Sequence, residues 1–194
     1  MSTRRSNYLA LLTAAIFLMT GLFTAQGQDN ASPAPIVTTE RAINFDGFLA
    51  FSERTMAYRA DRLISLDDFL TFAGEYDTII LDTRSASAFA EGHIDGAVHL
   101  NFSDFTERKL ADIVPDRATR ILIYCNNNFI EDAEPVPAKS PQLALNIPTF
   151  VNLFGYGYLN VYELGEMVSL DDPRLTWVTS EDMRAPITAQ TAAP

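Results

Sequence analysis

Arg120-Ile121-Leu122-Ile123-Tyr124-Cys125, followed at once by Asn126-Asn127-Asn128, is the stretch whose reading decides the fold. Ile121 to Tyr124 is apolar or aromatic throughout, as suits a strand buried on both faces of a parallel sheet. It ends on Cys125, the only cysteine in the 194 residues. The Asn run that follows is polar and turn-prone. A strand that carries one side chain to its C-terminal tip and hands it to a loop has the site geometry of an open α/β sheet. Cys125 is therefore the candidate reactive atom. The competing reading is inert packing, since a free Cys behaves as a small hydrophobe. Its place at a strand tip beside polar residues favours the reactive reading.

Working outward, strands and helices alternate. Ser65 is placed to cap a helix, with Asp67 and Asp68 in the first turn, where the helix dipole favours anions, and with Leu66, Phe69, Leu70 and Phe72 on its buried face. Thr78-Ile79-Ile80-Leu81 reads as a buried strand with Asp82-Thr83-Arg84 at its tip. A short helix over 85–90 stops at Gly92, Val98-His99-Leu100 forms a short strand, and a helix over 105–113 ends at Pro115. Beyond Cys125, an acidic, proline-containing loop runs to Ala138. A helix is predicted over 141–154, kinked or split at Pro148, and then a strand over 159–164. Asp171 to Trp177 adds an edge segment. This alternation predicts an α/β fold with a parallel sheet covered on both faces. Asp82 and Cys125 then share the carboxyl ends of the strands, where such sheets bind ligands.

The N-terminus reads as an export signal. Arg4 and Arg5 precede an apolar run from Tyr8 to Ala25, and Ala25-Gln26-Gly27 puts small residues where a signal peptidase cuts. The expectation is a signal peptide over 1–27 and a periplasmic or secreted protein; an uncleaved anchor is the alternative. Cleavage removes two of the 14 basic residues and none of the 25 acidic ones. That acidic balance argues against nucleic acid or anionic membrane surfaces as partners. With a single cysteine, no internal disulfide staples the domain. Residues 28–62 read as a polar leader and a helical or irregular apolar arm, 63–178 as the main domain, and 179–194 as a flexible Ala/Thr/Pro-rich tail.

Asp82-Thr83-Arg84, Phe89, and Glu91-Gly92-His93-Ile94-Asp95-Gly96-Ala97 carry a further pattern, with a strand ending in Tyr-Cys and Gly157-Tyr158-Leu159-Asn160-Val161-Tyr162 downstream. Together they resemble the signature of rhodanese-like domains, over about residues 65–164. The resemblance implies a five-stranded parallel sheet with helices on both faces and a Cys125 that carries a persulfide sulfur. It implies a small sulfur donor or a protein thiol acceptor as partner, and no cofactor. Asp82, Arg84, Gly92, His93 and Gly96 read as structural: the glycines for a positive φ or a close approach, His93 for loop hydrogen bonding, Arg84 for an ion pair.

One segment departs from the family. There, a compact loop after the cysteine closes on an arginine, and its inward N–H groups form an anion nest beside a helix N-terminus. Here the first basic residue after Cys125 is Lys139, the loop holds no glycine, and Glu131, Asp132 and Glu134 lie within it. Those carboxylates are expected to raise the thiol pKa. Two readings stay open. Asn126, Asn127, Asn128 and Lys139 form a substitute cradle, Asn tolerating the left-handed angles a nest needs. Alternatively the fold is an inactive binding module that uses the 126–139 loop, whose Phe129, Ile130 and Val136 suggest packing or docking. A Cys-x5-Arg phosphatase is discounted because the sixth residue after Cys125 is Glu131. Cys125, His93 and His99 show no metal-ligand spacing, so no metal is expected. The oligomeric state stays open.

Overall fold

The computed structural model describes residues 43–179. The expected signal peptide over 1–27, the leader up to residue 42 and the tail from residue 180 lie outside the described residues. In chain order the regular elements are α1 (Phe45–Arg59), β1 (Leu63–Ile64), α2 (Leu66–Ala73), β2 (Thr78–Asp82), α3 (Ala86–Glu91), β3 (His93–Ile94), β4 (Ala97–His99), α4 (Glu107–Ile113), β5 (Arg120–Tyr124), α5 (Asn146–Gly155), β6 (Val161–Leu164) and β7 (Trp177–Val178).

Five strands form one parallel sheet in the order β1-β6-β5-β2-β4, with helices around it. β5 is the central strand, and its alternation sorts the core. Ile121 and Ile123 pack with Leu110 of α4 and Phe150 and Leu153 of α5. Leu122 and Tyr124 pack on the opposite face with Leu66 and Phe69 of α2, Phe129 and Leu164. Fully burying side chains of this size is worth about 1.5–3 kcal/mol each, so the strand that carries Cys125 is firmly anchored by four of them, Ile121 to Tyr124. The predicted cap is present: Ser65 Oγ accepts from the Asp68 N–H. Ser85 Oγ and Thr106 Oγ1 accept likewise from the N–H groups of Ala88 and Lys109.

Two expectations are corrected. The single helix over 141–154 is a 3-10 turn (Pro141–Leu143) followed by α5, and the break falls before Asn146, not at Pro148. Pro148 sits in the first turn of α5, where no N–H has an intrahelical partner, so its missing donor costs nothing. The expected edge segment is β7. It pairs antiparallel with β3 in a separate two-stranded sheet and does not extend the main one.

That small sheet explains Gly92. Its φ of 168° is extended backbone, which any residue adopts. A Cβ there, however, would lie 2.0 Å from the indole Nε1 of Trp177, whereas Gly96 is the residue that needs a positive φ, of +79°. Gly92→Ala is therefore expected to expel Trp177 and unzip β7 from β3, at an overpacking cost of about 1–3 kcal/mol. Trp177 is the only tryptophan. Its emission should shift to the red in the variant; an unchanged spectrum would refute this account of the glycine.

Candidate active site

The tip of β2 and the tip of β5 are tied by a buried ion-pair network. Asp82 and Arg84 are fully or nearly fully buried. Arg84 Nη2 donates to Asp82 Oδ2 at 2.7 Å and to the Gly92 carbonyl at 2.6 Å, and Nη1 donates to the Pro135 carbonyl at 3.2 Å. The Tyr124 hydroxyl donates to Asp82 Oδ2 and accepts from the Ile94 N–H. Burial opposes the Arg84 charge, but hydrogen bonding and attraction from Asp82 hold its pKa above the ordinary value. His93 donates from Nδ1 to the Phe89 carbonyl at 2.7 Å, and its ring stacks on Phe89 at 3.7 Å between centroids. These side chains fix loops beside the site, and none reaches Cys125 by a hydrogen bond.

Cys125 itself is 2% exposed and begins a 3-10 turn (Asn126–Asn128). The backbone N–H groups of Asn146, Asn127 and Leu145 lie near enough to pull the thiol pKa down, although none makes a hydrogen bond to its sulfur. Two of these belong to the start of α5 and one to the 3-10 turn. The chain leaves the site at Asn128 and returns at Leu145, so the cradle is assembled from two ends of a long excursion. Partial positive charge at a helix N-terminus favours an anionic sulfur there. Burial pushes the Cys125 thiol up from its ordinary value, the three N–H groups pull it down, and the Glu163 carboxylate pushes it up again; the balance is upward.

Asn128 and Asn146 hold this cradle shut. Asn128 Oδ1 accepts from the Cys125 N–H and from Asn146 Nδ2, both at 2.9 Å, while Asn128 Nδ2 donates to the Leu164 carbonyl at 2.7 Å. Asn146 Nδ2 also donates to Glu163 Oε1 at 3.1 Å. Glu163, on β6, is 5% exposed and takes a two-pronged hydrogen bond from the Arg59 guanidinium of α1, at 2.6 Å from Nη2. Cys125 lines two cavities. One, of about 200 Å³, contains Arg59, Glu163 and Asn146. The other, of about 290 Å³, contains Arg84, Glu91, Glu134 and Lys139.

The family model for the rhodanese-like domain matches residues 65–164, just over half of the chain. The chain belongs to the rhodanese-like domain family. Among solved structures, the BH2092 protein from Bacillus halodurans is similar at 21% identity, over 60% of this chain and 74% of that one, with a TM-score of 0.36. No curated protein matches.

Within this rhodanese-like domain the asparagine triplet takes a part other than the one expected. The three residues adopt a right-handed 3-10 turn; the side chains of Asn126 and Asn127 bind the loop, and that of Asn128 braces the Cys125 N–H and Asn146. Asn126 Nδ2 donates to the Pro137 carbonyl, and Asn127 bonds both the carbonyl and the N–H of Lys139. Of their backbone N–H groups, that of Asn127 helps to pull the Cys125 thiol pKa down. Lys139 lines the larger cavity, and its ammonium makes no ion pair among the described residues. The loop acids also differ from expectation. Glu131 accepts from Ser169 Oγ and the Leu170 N–H, Asp132 accepts from the Ala138 N–H, and the carboxylate that raises the thiol is Glu163. Arg59, Glu163 and Asn146 are the residues that sequence reading passed over. Arg59 lies outside the matched segment. Glu163 sits in a strand whose neighbours are apolar, and a charged residue at such a position was the available signal.

Proposed function

We propose that this rhodanese-like domain is exported, carries a sulfane sulfur on Cys125 and passes it to a thiol acceptor. The seat of Cys125 at the tip of the central strand, on the lining of two cavities that also reach Leu145 and Asn146 at the start of α5, supports the reading. The nearby N–H groups of Asn146, Asn127 and Leu145 pull the thiol pKa down, the direction demanded by a thiolate nucleophile or a terminal persulfide sulfur. The thiolate attacks the outer sulfur of a donor. The donor's bond to that sulfur breaks, and its electron pair leaves with the donor group. Cys125 is left as a persulfide, which an acceptor thiol then attacks in the same way. Burial raises the thiol pKa, so loading begins when a proton departs. A purely binding role for the 126–139 loop has less behind it, because Phe129 and Val136 are spent in the domain's own core and only Ile130 is exposed.

Intact mass spectrometry tests the reading. Incubation with an organic persulfide or with thiosulfate should add one reducible sulfur to the protein and none to Cys125→Ser. If neither donor adds sulfur while a small alkylating reagent labels Cys125, the carrier role is wrong and the domain is a binding module.

A further inference from the structure

Resting on Cys125 as the carrier, we propose that the larger cavity beside it takes the persulfide of a small zwitterionic amino acid in preference to a dianion such as thiosulfate. Arg84 looks like an anion receptor, but it is 3% exposed and its guanidinium is engaged by Asp82, the Gly92 and Pro135 carbonyls and Asn126 Oδ1. It offers nothing to a ligand. The remaining charged groups on the lining are Lys139, Glu91 and Glu134. All three are exposed, and none makes an ion pair among the described residues.

One free ammonium and two free carboxylates leave the rim with a surplus of negative charge. A dianion meets more repulsion than attraction on its way to the sulfur. A ligand with one carboxylate and one ammonium meets complementary partners for both. Volume points the same way: about 290 Å³ lies at the floor of the range for small-molecule sites, roughly 300–1,000 Å³, so a single amino acid fits better than a tripeptide. The transfer balances without an added oxidant. Cys125 loses its proton and attacks the outer sulfur of R–S–SH, the sulfur–sulfur bond breaks, and R–S⁻ leaves with the pair and takes up the proton. The products are the Cys125 persulfide and R–SH.

The test uses a matched pair of donors, cysteine persulfide and 3-mercaptopropionate persulfide, which differ only in the ammonium, with thiosulfate as a third arm. Sulfur gain on the full chain is followed by intact mass, and each rate is divided by that for a free thiol in solution. Cysteine persulfide should lead its ammonium-free partner by about tenfold, the value of one hydrogen bond to a charged group. Glu91→Gln/Glu134→Gln should erase that lead and raise loading from thiosulfate, whereas Lys139→Gln should slow both carboxylate donors. Equal normalised rates in the wild type, or a ratio unmoved by the Glu substitutions, would overturn the specificity while leaving the carrier intact. Loading from no donor at all would overturn the carrier, and this inference with it.

Discussion

Arg84→Ala is expected to cost about 3–5 kcal/mol, the range for removing one partner of a buried ion pair. The side chains of Arg84 and Asp82 are 2% and 0% exposed. Without the guanidinium, the Asp82 carboxylate keeps only the Tyr124 hydroxyl and the Arg84 N–H as donors. The carbonyls of Gly92 and Pro135 lose their donor at the same time. A loss of this size is a large fraction of a stability of about 5–15 kcal/mol, so the urea midpoint should fall steeply or the chain should fail to accumulate. Arg84→Lys should recover little, because an ammonium cannot fork to a carboxylate and reach two carbonyls together. A midpoint within error of the wild type would show that the network is not a support of the fold.

That network was half legible in the sequence. Asp82-Thr83-Arg84 at a strand tip announces a pair, and the Gly92–Gly96 turn announces a fixed loop; the sequence does not say that the two meet through the Gly92 carbonyl. The frame of the sheet was legible because β2 and β5 are short apolar runs bounded by turn residues, a local signal. The start of α5 was not. Pro148 drew the expected break, yet proline in a first turn is harmless, and the helix begins where Asn146 bonds Asn128 and Glu163, partners remote in sequence.

Most of the cradle, beyond the Asn127 N–H, was illegible for the same reason. Local pattern makes an asparagine triplet after a cysteine look like ligand donors, but those side chains pay for the excursion of the loop by replacing backbone pairing along it. Asn127 in particular reads both the N–H and the carbonyl of Lys139, as a neighbouring strand would. Of the three N–H groups that pull the thiol pKa down, two come from Leu145 and Asn146, twenty and twenty-one positions downstream. Backbone donors carry no residue signature, so nothing in the identities of those residues marks them.

Arg59 carries the second large expectation. It lies in α1, ahead of the matched segment, and α1 is held to the domain by Phe51 and Tyr58 against Phe154 and by the Tyr58 hydroxyl donating to the Leu159 carbonyl. Its guanidinium compensates Glu163, and Glu163 in turn orients Asn146, whose N–H helps to pull the thiol pKa down. Arg59→Gln leaves that carboxylate beside Cys125 without its cation. The negative field on the sulfur grows, and the thiolate becomes harder to form. The pH midpoint for alkylation of Cys125 should rise by about one unit, the size of a modest change in charge interaction near a partly buried group. Glu163→Gln should move it the opposite way, because it removes the repulsion and keeps an amide oxygen for Asn146. Arg59→Gln/Glu163→Gln should then fall at or below the wild-type midpoint. A helix that merely packs against the domain predicts something else: both single variants lose stability and neither shifts the midpoint. Opposite shifts in the two single variants, with the double variant cancelling the first, are the pattern that assigns α1 a part in setting the charge on Cys125.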